Sequence, residues 1–137
     1  MRRVGSILVV ISWLVFIASW AMPVVQFQDV EPFMGWMAGW AVIKKIPDFY
    51  IDWQSFFASI LGVGNIVVAI VPAALFFPVK RLLKVLSLFS VAVFFIALSV
   101  FFDSGGYAEG YFLWVVSFLG VAIGLSMISS ALPHKNV

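Results

Sequence analysis

The sequence predicts an all-α membrane protein, a four-transmembrane-helix bundle with a short interfacial helix in its first outer loop. Three observations predict it. Of 137 residues, 64% are hydrophobic and 10% charged, against roughly 45–50% and 25% in a soluble domain. A chain of this size has no core large enough to hide so much apolar surface from water. Four stretches, residues 4–28, 53–79, 85–102 and 110–133, carry no charge and hold 25, 27, 18 and 24 residues. The charges between them are sorted. Arg2, Arg3, Lys80, Arg81, Lys84 and Lys135 flank the runs on one face with no acid among them. Asp29, Glu31, Asp48, Asp52, Asp103 and Glu109 fill the other two connections with only Lys44 and Lys45 for company.

A helix needs about 20 residues to cross a hydrocarbon core of about 30 Å. The runs therefore predict one transmembrane domain over residues 1–137, with spans at about 4–23, 54–78, 83–102 and 111–132. The shortest run rises only about 27 Å, and it gains length from Leu82 and Leu83 because the Lys84 stem can snorkel toward the headgroups. The runs are continuous rather than alternating with period two, which excludes a β-barrel. The first run exceeds the apolar core of a signal peptide and has no Ala-x-Ala site before Pro23, so it is expected to be a retained span. The sorted cations place both termini and the connection at 79–84 in the cytoplasm. The expected location is the cell inner (plasma) membrane.

The outer segment, residues 24–53, is too long for a turn and is predicted to hold a helix at about 32–45. Asp29 and Glu31 stand at its entrance and Pro32 suits a first helical position. Lys44 and Lys45 favour the negative end, and Pro47 blocks continuation. At 100° per residue, Phe33, Trp36, Met37 and Trp40 fall on one side, and Gly35, Ala38, Gly39 and Val42 on the other. An aromatic side and a small-residue side describe an interfacial helix. Its aromatics either sit in the membrane interface, where such rings are generally enriched, or present a partner-binding surface. Trp20, Trp53, Trp114, Tyr50, Tyr107 and Tyr111 are expected to join them in an aromatic belt at the outer boundary, leaving only Trp13 in mid-span.

Within the spans, no Asp, Glu, Lys, Arg or His occurs, which argues against a pump or ion-coupled transporter. Asn65 is the most polar residue of the second span. Its expected use is an interhelical hydrogen bond, with a pore or ligand contact as the alternative. Pro72 should kink that span near residues 69–72. Gly120 and Gly124 form a small-x-x-x-small pair expected to admit a close helix neighbour, from the same chain in preference to a second copy, which keeps a homo-oligomer open.

Several chemistries are absent. Zero cysteines remove disulfides and thiolate metal sites, and the single His134 leaves no histidine metal or haem site. No phosphate loop, zinc-protease motif or catalytic triad occurs. No cofactor, metal or catalytic residue is therefore expected. The few basic residues are explained by topology and form no nucleic-acid groove. Asp48 and Asp52 would lie one turn apart in a helix and could support acid–base chemistry, but Asp52 reads better as the cap of the second span and Asp48 as a solvated side chain.

At Ser19-Trp20 with Pro23, Gly39-Trp40 and Gly110-Tyr111-Phe112-Leu113-Trp114, the sequence resembles small four-span bacterial inner-membrane proteins of unassigned function. The long first and short second outer segments also resemble the tetraspan layout of claudins, without the claudin cysteine pair. Immunity proteins that protect bacteria from membrane-active toxins are similar in being small, multi-span and free of catalytic residues. Spans without ionisable groups, beside an elaborated aromatic outer segment, predict a non-enzymatic protein acting by protein–protein interaction in the bilayer, as a complex subunit, assembly factor or toxin-immunity type protector of a membrane or periplasmic partner. The alternatives are an oligomeric passive channel or small transporter and, third, an envelope- or lipid-handling enzyme.

Overall fold

The computed structural model describes residues 1–25, 31, 33–103 and 107–133; Asp29, Pro32, His134 and Lys135 lie outside them. The chain is mostly helical. Its elements are α1 (Arg2–Trp20), β1 (Pro23–Val25), β2 (Phe33–Met34), α2 (Gly35–Lys44), a 3-10 turn (Ile46–Asp48), α3 (Trp53–Ala74), α4 (Lys80–Asp103) and α5 (Glu109–Ser130). Four helices, α1, α3, α4 and α5, are long and apolar enough to cross a membrane.

The helices differ in how they use their apolar residues. On α1, Gly5, Val9, Ser12, Phe16 and Ser19 recur every three or four residues and are buried. Val4, Ile7, Ile11, Leu14 and Ile17 run up the opposite face and are exposed. That is the single buried stripe of a helix with one packed face. By contrast, α5 is buried over most of its circumference, through Tyr111, Trp114, Val115, Phe118, Val121, Ala122, Leu125 and Ile128, and exposes a narrower stripe at Phe112, Val116 and Ile123. It packs chiefly against α1 and α4, while α3 packs against α2 and α4.

Between apolar helices in lipid there is little hydrophobic drive to associate, so close packing and polar bonds set the arrangement. The α1–α5 seam is built of small residues. A methyl added to Gly124 would lie 2.6 Å from Val9 Cγ2 and 2.8 Å from the Gly5 carbonyl oxygen, and one added to Gly120 would strike the Ser12 hydroxyl. The expected neighbour of the glycine pair is therefore α1 of the same chain. Polar bonds link the remaining helices. Trp13 Nε1 donates to the Ala69 carbonyl at 3.2 Å, Ser87 Oγ to Ala122 at 2.8 Å, and the Tyr111 hydroxyl to Ala97 at 2.7 Å.

Two boundaries depart from expectation. The helix α3 stops at Ala74, not 78, two residues after Pro72. Pro72 therefore lies inside α3, where it offers no N–H to the Val68 carbonyl four residues back. The helix α4 begins at Lys80, earlier than 83, and takes the basic cluster into its first turns. Cations there oppose the helix dipole. Lys80 avoids that mismatch by donating from Nζ to the Leu132 carbonyl at 3.0 Å, just beyond the negative end of α5.

Candidate binding site

The end of the molecule opposite Arg2, Arg3 and Lys80 is closed by a cap made from β1, β2 and α2. β1 and β2 pair antiparallel, Pro23 with Met34 and Val25 with Phe33. The Gly35 N–H donates to the Met22 carbonyl at 2.8 Å, and the Ala108 N–H to Val24 at 2.9 Å. The approach to α5 is thereby tied to the same hairpin, with Val25 also bridging to Tyr107. The helix α2 starts at Gly35 and not at 32, because Phe33 and Met34 are held in strand pairing. Phe33 consequently stands beside the helix and is not part of it.

The two predicted sides of α2 separate inward and outward. Gly35 backs onto the Ser19 carbonyl, and a methyl added to Gly39 would lie 2.9 Å from the Trp20 ring. From α3, Gly62 approaches the Val42 carbonyl so closely that a methyl there would sit 2.5 Å from its oxygen. Facing outward, Trp36 is 51% and Trp40 54% exposed, with Met37 and Phe33 beside them. Lys44 Nζ lies 5.7 Å from the Trp40 ring centre, a cation–π distance. All four predicted residues are exposed, Trp36, Met37 and Trp40 on α2 and Phe33 on β2 before it, where it also borders the cavity under the cap. The structure adds a second exposed aromatic group at Phe49, Tyr50, Trp53, Phe56 and Phe57. The run of aromatic residues at 49–57 was visible in the sequence, but the exposure of its rings was not.

The acids at this end have local duties. The Asp52 carboxylate accepts the Ser55 N–H at 2.6 Å and caps α3, as expected. That bond holds its pKa below the ordinary carboxylate value. Asp48 lies 3.6 Å from Lys45. Among the described residues, no three His, Cys, Asp or Glu side chains gather in one place.

Three rings expected in the boundary belt turn inward. Trp114 and Tyr111 are buried, at 9% and 7% exposure, and Trp20 is half-buried. They wall a cavity of about 190 Å³ under the cap, bounded by Val24, Ala38 and Gly39 above and Leu61 and Asn65 on the α3 side. Asn65 is 1% exposed. Its Oδ1 accepts from Trp114 Nε1 at 2.7 Å, the interhelical bond expected of it, here between α3 and α5. Its Nδ2, and Nε1 of Trp20, are buried with no hydrogen-bond partner among the described residues. Among the described residues, the wall contains no charged side chain. Sequence reasoning found Asn65 but not the cavity, because its walls come from five separated stretches of chain.

The chain matches no known protein family, and no curated protein or solved structure is similar to it.

Proposed function

We propose that this chain is a non-enzymatic integral protein of the inner membrane that works by docking a membrane or periplasmic protein on its capped end. The observation that carries the reading is the way α2 is held. Its glycine side is pressed onto Trp20 and the hairpin, while Trp36, Met37 and Trp40, with Phe33, remain outside. Exposed aromatic residues on a fixed helix lose little freedom when covered, and such rings are the usual anchors of protein interfaces. The orientation that suits this role has both termini in the cytoplasm and the cap outside, as the cation distribution favours.

The residues behind the channel alternative have other work within the chain. Gly120 and Gly124 receive α1, and Asn65 bonds Trp114, which leaves less support for a lumen between copies. Asp48 and Asp52, the basis of the enzyme alternative, serve an ion pair and a helix cap.

The test replaces Trp36 and Trp40 with Ala in the full chain and isolates cross-linked partners from native membranes. The double variant should keep the thermal midpoint of the parent and lose the partner. Recovery of the same partner at parental yield would overturn the assignment of this surface.

A further inference from the structure

We propose that the chamber beneath the cap binds a neutral, largely apolar molecule through a carbonyl-type acceptor oxygen. The inference is independent of docking on the outer face of α2.

Size comes first. The chamber holds about 190 Å³, and an apolar cavity of about 150 Å³ already accepts a benzene ring. One substituted ring, or a short length of chain, fits. The walls decide polarity. Among the described residues no charged side chain lines the chamber, and an ion entering it would find no counter-charge there, which is strongly disfavoured. Trp20, Tyr111 and Trp114 offer flat apolar surfaces instead.

The unpartnered groups then specify the complement. Buried polar atoms nearly always have a partner, yet Asn65 Nδ2 and Trp20 Nε1 have none among the described residues. Both are N–H donors. The Asn65 amide cannot simply turn over, because its oxygen is committed to Trp114 Nε1 at 2.7 Å. A ligand that satisfies this chamber therefore supplies an acceptor and needs no donor. A carbonyl on an apolar body meets both conditions, and it could arrive as a lipid ester or as a free ring ketone or quinone.

The experiment follows para-fluoroacetophenone by fluorine NMR with the full chain in nanodiscs, and para-fluoroethylbenzene as the matched ring without an acceptor. The discs are made in two forms, from ester-linked and from ether-linked phosphatidylcholine. The ketone should bind saturably and about tenfold tighter than the hydrocarbon, as one satisfied hydrogen bond predicts. Asn65→Leu should remove that preference. Trp20→Phe, which keeps a ring and breaks no observed bond, should reduce it and guards against a folding failure of the first variant. Ala38→Phe, which fills the chamber, should abolish both signals. Tighter ketone binding in ether discs identifies lipid esters as the competing occupant; equal binding in the two identifies a free ligand. Absence of saturable binding in both discs, equal affinity for ketone and hydrocarbon, or an undiminished preference in both donor variants would overturn the proposal and leave the chamber to water.

Discussion

Trp114 and Asn65 show how much one side chain can decide in an apolar interior. An indole N–H left alone there has no water to turn to, and its bond to Asn65 Oδ1 joins α3 to α5. A double-mutant cycle with Asn65→Leu and Trp114→Phe should give a coupling of about 0.6–1.7 kcal/mol, the range measured for such bonds in lipid. A coupling near zero in detergent unfolding curves would mean that the bond contributes nothing. Asp52 acts at the surface. Its pKa is lowered chiefly by the Ser55 backbone N–H, so the ionised cap stabilises the fold fully above the ordinary value of 3.8. That contribution is lost as pH falls through the depressed value in the folded state. Asp52→Ala should therefore lower the thermal midpoint at neutral pH, and the gap from the parent should close on acidification. A gap that does not change with pH would assign the effect to something other than the carboxylate. Asn65 and Asp52 were legible in advance because each has a local reason. The inward turn of Trp114 was not, since a tryptophan five residues into a span has the same sequence signature whether it faces a headgroup or a neighbouring helix.

Among the elements, the α1–α5 seam is the most sensitive. Gly124→Ala forces a methyl against Val9 and Gly5, and overpacking of this kind costs about 1–3 kcal/mol. The variant should unfold at lower denaturant, while its oligomeric state by light scattering matches the parent. If it instead changes oligomeric state with stability unaltered, the glycines serve contacts between copies. On α2, Gly39→Leu should dislodge the cap from Trp20, detected as faster proteolysis of the segment at 45–52. The four long apolar helices were readable from the uncharged runs. The hairpin was not. Phe33 and Met34 pair with residues about ten positions earlier, and two- and three-residue strands carry too few side chains to show an alternation. Proline and acid signals at 29–32 consequently moved the predicted start of α2 too early.

For the molecule as a whole, the separation of charge is the governing pattern. Arg2, Arg3, Lys80, Arg81 and Lys84 lie at one end, and Glu31, Asp48, Asp52 and Glu109 at the other. If translocation follows the cations, a tag after the last residue should be cleaved in inverted vesicles and protected in intact cells; the reverse pattern would reject the orientation. The mostly helical character and the four long apolar helices were legible because they depend on composition summed over about 20 residues. The chamber was not, because cavities arise from how helices meet. A final consequence concerns synthesis. The most buried of the four long helices, α5, follows the other three in the chain. Until it arrives, α1 and α4 hold their serine- and glycine-lined faces toward whatever is at hand in the insertion machinery. Packing of the earlier long helices is thus settled by a later one, and a cell that delays α5 keeps three finished helices waiting for it.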